Sequence, residues 1–181
     1  MDDRRRKRGF EVAPLRKRQI WDAARQLRTS FGGTTTHFPI LEFLEFELPK
    51  VWGDFYFGTK EIDEMGDDHG WTFPDRAAIF LREDIYQGLK AGRGRDRFTA
   101  AHELGHLVLH NCALARSRRP SGELPLFRDS EWQADNFASE FLMPVEVVRN
   151  HPDPYIIAAE CGVSEQAASM RLHALRQEGM L

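Results

Sequence analysis

The chain has 181 residues, with 25 Lys and Arg against 28 Asp and Glu, and 41% of it is hydrophobic. That length suits one domain with at most a small appendage, and it is enough for a real core. A formal net charge of −3 excludes a general affinity for polyanions. No apolar run approaches the length of a membrane span, and the start after Met1 is charged rather than apolar, so the sequence predicts a soluble, cytoplasmic protein. The two cysteines, Cys112 and Cys161, are too widely spaced for a zinc knuckle or a disulfide framework and are expected to be reduced.

Charge is uneven at the N-terminus. Residues 1–18 carry Arg4, Arg5, Arg6, Lys7, Arg8, Arg16, Lys17 and Arg18 against Asp2, Asp3 and Glu11. Such a run reads first as a solvated arm, with Arg4, Arg5, Arg6 and Arg8 as candidate nucleic-acid contacts. Pro14 is placed to open a helix carrying Ile20, Ala23, Ala24, Leu27 and Phe31, and Ser30–Thr36 reads as a linker. Pro39 opens a short second helix, and alternating aromatics from Trp52 to Phe73 suggest short strands. The apolar run Ala77–Leu81 is the strongest strand, followed by a glycine-rich connection from Gly88 to Gly94. A helix is then expected from about Thr99, as N-cap, to His110. After a loop from Asn111 to Arg128, Ser130 and Gln133 form a capping-box pattern at the start of another helix that ends at Met143–Pro144. The last 30 or so residues are helical, with a break at Gly162–Val163–Ser164. The class is α+β, with a small antiparallel sheet packed on helices and a helical C-terminal tail. The expected division is a basic arm and helix over 1–36, a core over 37–150 and a tail over 151–181.

The chemistry concentrates in His102-Glu103-Leu104-Gly105-His106, an HExxH pattern. Histidines at i and i+4 share one helical face, so both imidazoles can reach one zinc ion. Glu103 stays beside the metal, where it can take a proton from the attacking water. An ordinary helix that happens to carry two histidines is the competing reading. The apolar Leu104, Leu107, Val108 and Leu109 count against it, because burying imidazoles and a carboxylate without a partner is costly.

A catalytic zinc needs a third protein ligand. The metzincin pattern would place a histidine at position 112 and a glycine at 109, where this chain has Cys112 and Leu109. A gluzincin takes a glutamate from a second helix, and Glu131 fits, with Asp135 one turn on to accept the second ring N–H of a ligand histidine. Glu131 could instead serve only the helix dipole. Gly105 costs about 1 kcal/mol relative to alanine inside a helix. It is explained if another backbone, that of the Glu131 helix, approaches closely.

The run Arg97-Phe98-Thr99-Ala100-Ala101-His102-Glu103-Leu104-Gly105-His106-Leu107-Val108-Leu109-His110 resembles the ImmA/IrrE family of zinc metallopeptidases. So do Glu131–Ala138 leading into Phe141-Leu142-Met143-Pro144, and strand-like Ala78–Asp84. The resemblance spans roughly residues 40–175. It implies a compact gluzincin-like fold, Zn2+ held by His102, His106 and Glu131, and Glu103 as base. It also implies a helix-turn-helix repressor as substrate, cleaved to relieve repression in DNA-damage, phage or mobile-element regulation.

Further expectations attach to single features. Ala78, Ile79 and Phe80 form a candidate edge on which an extended substrate could pair. The Cys112 thiolate could occupy the open metal position and hold the enzyme inactive, although a small buried hydrophobe is the plainer role. His110 reads as a helix C-terminal residue rather than a ligand. Ala158-x-x-x-Gly162-Val163-Ser164 resembles the turn of a helix-turn-helix, yet Arg171 and Arg176 face Asp153, Glu160, Glu165 and Glu178, a poor field for phosphates. DNA could instead act as an activator through the basic arm. The contrasting reading is a zinc-binding regulator or toxin–antitoxin component that works by association, with Glu103 incidental.

Overall fold

A computed structural model describes residues 9–32, 35–110 and 125–181. Helix α1 (Lys17–Ser30) is followed by a helical stretch with a π-helical turn at its centre: α2 (Ile40–Glu42), the π-turn Phe43–Glu47 and α3 (Leu48–Val51). Then come β1 (Tyr56–Lys60), α4 (Ile62–Met65), β2 (Gly70–Phe73), β3 (Ala78–Arg82), α5 (Glu83–Lys90) and α6 (Gly94–Leu109). The chain ends with α7 (Ser130–Leu142), α8 (Val145–Asn150), α9 (Pro154–Cys161) and α10 (Glu165–Gln177). The architecture is α+β and mostly helical. None of the described helices is long and apolar enough to cross a membrane.

Three helix starts differ from the sequence expectation. Helix α1 begins at Lys17 rather than at Pro14, because Leu15 N is spent on Phe127 O. Helix α6 begins at Gly94, so Thr99 lies inside it and its hydroxyl donates back to the Arg95 carbonyl at 3.2 Å instead of capping. At α7 the N-cap is Asp129, whose carboxylate accepts from the Glu131 amide at 2.9 Å. A carboxylate one residue upstream outcompetes the Ser130 hydroxyl for the helix start. Ser130 Oγ accepts from the Phe10 amide instead, and Gln133 is left to reach elsewhere.

The sheet has the order β1-β3-β2. β2 and β3 are antiparallel, with Trp71 opposite Phe80. β1 adds in parallel to β3, with Phe57 opposite Ile79. The sheet is therefore mixed rather than antiparallel throughout, because α4 carries the chain past the site of β3 before β2 begins. β3 is the central strand. Ala78, Ile79 and Phe80 are thus paired on both sides and cannot serve as the substrate edge. An apolar run with Ile79 and Leu81 fully buried belongs in the middle of a sheet, where both flanks are covered.

The core is continuous across the expected segments. Ile20, Trp21 and Ala24 of α1, Leu104 and Leu107 of α6, Phe137 and Phe141 of α7, and Ile157, Ala168 and Leu172 of the tail share one cluster. The tail is fastened to α6 in two ways. A Cβ at Gly94 would lie 2.4–2.5 Å from the backbone of Val163 and Ser164, so the two backbones touch. Arg97, buried on α6, donates to Phe38 O and Gly162 O, each at 2.7 Å, and so satisfies a carbonyl that α9 leaves open at its C-terminal turn. Gly162 itself adopts the left-handed conformation (φ 64°) that ends α9, as the sequence break predicts.

On the other side Arg171 of α10 pairs with Glu140 of α7, donates to Met143 O and stacks 4.7 Å from the Trp21 ring. Both members of the ion pair are buried. Removing one partner of a buried pair leaves an uncompensated charge and typically costs 3–5 kcal/mol. Arg171→Leu leaves Glu140 with only Arg25, at 3.2 Å. A loss of about 3 kcal/mol in urea unfolding is expected, and a loss under about 0.5 kcal/mol would show the pair to be dispensable.

The N-terminal segment is docked from Gly9 onward. Val12 N donates to Arg128 O (2.9 Å), Leu15 N to Phe127 O (3.0 Å) and Ser130 N to Phe10 O (3.1 Å). Glu11 forms an antiparallel bridge with Asp129 and an ion pair with Arg128 at 3.1 Å. The arm expected to be solvated therefore ties down the entry to α7 over its described part. Arg4, Arg5, Arg6 and Arg8 lie outside the described residues.

Candidate metal centre

Helices α6 and α7 cross at Gly105. A Cβ there would stand 3.2 Å from Ala134 Cα and O and from Phe137 Cβ, so hydrogen is the only substituent that fits without a shift. The glycine's cost in helix propensity is offset by this approach, which carries Glu131 to the α6 histidines.

His102 Nε2 and His106 Nε2 are 3.0 Å apart. Glu131 Oε2 lies 3.4 Å from the first and Oε1 3.3 Å from the second. A tetrahedral zinc site with bonds near 2.0–2.1 Å holds its ligand atoms about 3.3 Å apart. The three donors already stand at that separation, and they form the one group of three or more potential ligands among the described residues. Two imidazoles and one carboxylate also suit zinc better than magnesium or calcium, which prefer all-oxygen sites. The residues fit the ion.

The far side of each imidazole is held. His102 Nδ1 contacts Asp135 Oδ1 at 2.9 Å, the contact expected from the i, i+4 spacing of Glu131 and Asp135. His106 Nδ1 lies 3.0 Å from His110 Nδ1. His110 Nε2 is in turn 3.1 Å from Gln133 Oε1. His110 is thus more than a helix-terminal residue, and nothing local in the sequence signals its tie to Gln133.

Glu103 points to the other flank of the trio. It is buried, and Thr72 of β2 places its hydroxyl 2.6 Å from Glu103 Oε2 and 3.0 Å from Glu103 O. Gly70, also on β2, lies so close that a Cβ would stand 2.5–2.7 Å from Glu103 Cγ, Oε1 and Cδ. The cleft is lined by His69, Phe98, Thr99, His102, Glu103, Glu131 and Asp135. Sequence reasoning missed Gly70, Thr72 and His69. Their only signal was membership of the aromatic, glycine-containing strand region.

The electrostatics mark the trio as a place for a cation. Burial works against charge on His102, but its hydrogen bonds with Asp135 and Glu131 outweigh this and raise its pKa to about 10. Burial likewise opposes the charged form of Glu131, yet hydrogen bonds to His102 and His106 hold its pKa far below the usual carboxylate range. Burial and the neighbouring His106 push His110 down to about 4, so it stays neutral. At neutral pH the metal-free site therefore holds a proton on His102. A metal ion must displace that proton, so its affinity rises with pH until the His102 pKa is passed and falls as pH drops. Zinc binding near pH 7 is expected to release about one proton, read by calorimetry in buffers of different ionisation enthalpy. A heat independent of the buffer would contradict this protonation state.

Cys112 lies outside the described residues, so the structure does not place it relative to the trio. No curated protein matches the chain. A helix bearing HExxH, crossed by a second helix that supplies a carboxylate, defines a metal-dependent peptidase class. Residues 63–173 match the IrrE N-terminal-like domain family of peptidases, and the chain belongs to that family.

Proposed function

We propose that the protein is a zinc endopeptidase whose substrate is a helix-turn-helix transcriptional repressor, cleaved to relieve repression. What chiefly supports this reading is the ligand-like spacing of His102, His106 and Glu131 beside a buried Glu103 held by Thr72. A bound zinc ion supplies Lewis acidity, which makes water a stronger acid and polarises the scissile carbonyl. The remaining work falls to side chains and backbone. Glu103 takes the proton of the attacking water and passes it to the leaving amine, which converts a poor leaving group into a neutral one. Thr72 keeps the Glu103 carboxylate turned toward the cleft. His69 is the candidate donor to the carbonyl oxygen as charge develops there.

The substrate edge moves from β3 to β2. Arg82 N donates to His69 O at 3.0 Å, so by antiparallel alternation His69, Trp71 and Phe73 spend their backbone groups on β3. Gly70 and Thr72 then present N–H and C=O to the outer edge of β2, where an extended peptide would pair beside Glu103. DNA as activator and the DNA-damage, phage-defence or mobile-element setting belong to the same proposal.

The test is incubation of the zinc-loaded chain with purified helix-turn-helix repressors, beginning with any that is encoded beside its gene. A new peptide N-terminus that disappears on chelation is expected. Repressors that all stay intact would refute this substrate class.

A further inference from the structure

Hydrogen-bond polarity is fixed from the backbone as far as His110 Nε2, and for a neutral His110 it continues to His106. Gln133 Nε2 lies 2.8 Å from both Ala13 O and Phe127 O. Carbonyl oxygens only accept, so this atom is the amide nitrogen and both of its hydrogens are used. Gln133 Oε1 must then accept from His110 Nε2, at 3.1 Å. A neutral imidazole with its proton on Nε2 has a lone pair on Nδ1, so His110 Nδ1 accepts from His106 Nδ1–H at 3.0 Å. That proton placement leaves the His106 Nε2 lone pair aimed at His102 Nε2 and Glu131, where a metal would sit.

We infer that His110 and Gln133 are positioning residues that fix the metal-binding tautomer of His106, and that the N-terminal segment around Ala13 completes the site by anchoring them. The inference rests on the metal reading above. Ala13 lies outside the part of the chain matched by the family, residues 63–173. The same segment also approaches the carboxylate ligand, since a Cβ on Gly9 would lie 3.1 Å from Glu131 Cγ. One segment thus braces α7 at the carboxylate ligand and at the glutamine that holds His110, the residue at the end of α6. The two histidines are held by different means. His102 leans on Asp135, whose side chain is half exposed, whereas His106 ends in a chain of neutral groups that closes on two backbone carbonyls. Groups of this kind behind a ligand commonly change metal affinity 10–100-fold when removed.

The experiment uses the full chain and Zn2+ alone. Nitrogen-15 NMR of the imidazoles in the zinc-loaded protein should show His106 protonated on Nδ1 and His110 on Nε2. His110→Leu and Gln133→Leu should each weaken zinc binding about 10–100-fold in chelator competition. His110→Asn, whose side-chain oxygen can accept near the position of Nδ1, should recover most of that loss. Zinc should slow amide exchange at Val12 and Leu15 in the wild type but not in Gln133→Leu. A general packing defect would not be rescued by His110→Asn, and it would not uncouple zinc from those amides. His110 found protonated on Nδ1, or zinc affinity within twofold of wild type in both leucine variants, would overturn the relay while leaving the metal reading intact. A wild-type chain that bound no zinc would overturn both.

Discussion

Glu103→Gln is expected to bind zinc with wild-type affinity and to cleave peptide about 10³-fold more slowly, within the range that general acid–base groups contribute. The amide has the size of the carboxylate, and Thr72 can still hydrogen-bond to it, so the cleft keeps its shape. The lost property is specific: an uncharged amide cannot take a proton from water. The effect should fall on kcat, with KM little changed, because the pairing proposed along the β2 edge would use backbone groups rather than this side chain. Zinc stoichiometry by mass spectrometry and turnover on the same preparation would decide it. A variant that kept full biological effect would instead favour a regulator acting by association.

Gly70→Ala reaches the same carboxylate from the opposite side. The added methyl would overlap Glu103 at 2.5–2.7 Å, well inside any contact a real Cβ tolerates. Either the carboxylate rotates away from Thr72 or β2 shifts outward by a few tenths of an ångström or more. Misplacement of about 1 Å at a reacting group can cost on the order of 10²-fold, and a kcat loss of that size is expected. Zinc affinity should change less than about threefold, since His102, His106 and Glu131 are untouched. Wild-type turnover in this variant would show that β2 does not constrain Glu103. Parallel loss of zinc would point to a wider collapse.

What the sequence could reveal followed the reach of each interaction. His102, Glu103 and His106 lie within two turns of one helix, so 3.6-residue periodicity alone puts them together. The approach of Glu131 was legible because Gly105 makes sense only if something packs against it, and α7 does. The other half of the site is assembled over long sequence separations and carries no periodic signature. Thr72 meets Glu103 across 31 positions, and Gln133 meets Ala13 across 120. Gln133 even imitated a capping-box residue, because Ser130 stands three positions before it. Asp129 took the cap and released the glutamine for other work. The expectation of a substrate edge at Ala78, Ile79 and Phe80 fails for a physical reason. The most apolar run, Ala77–Leu81, is the one a sheet buries at its centre, so it is the least suited to being an edge.

The grip of Arg97 on the turn after α9 bears on how the molecule opens. Helices that share buried polar ties and a backbone contact tend to unfold as a single cooperative unit. The α9–α10 pair should therefore not fray ahead of the metal helix, despite its terminal position and its likeness to an independent DNA-reading module. Its amides and those of α6 are expected to exchange together, so that local opening at the C-terminus would expose the helix of His102 and His106 as well.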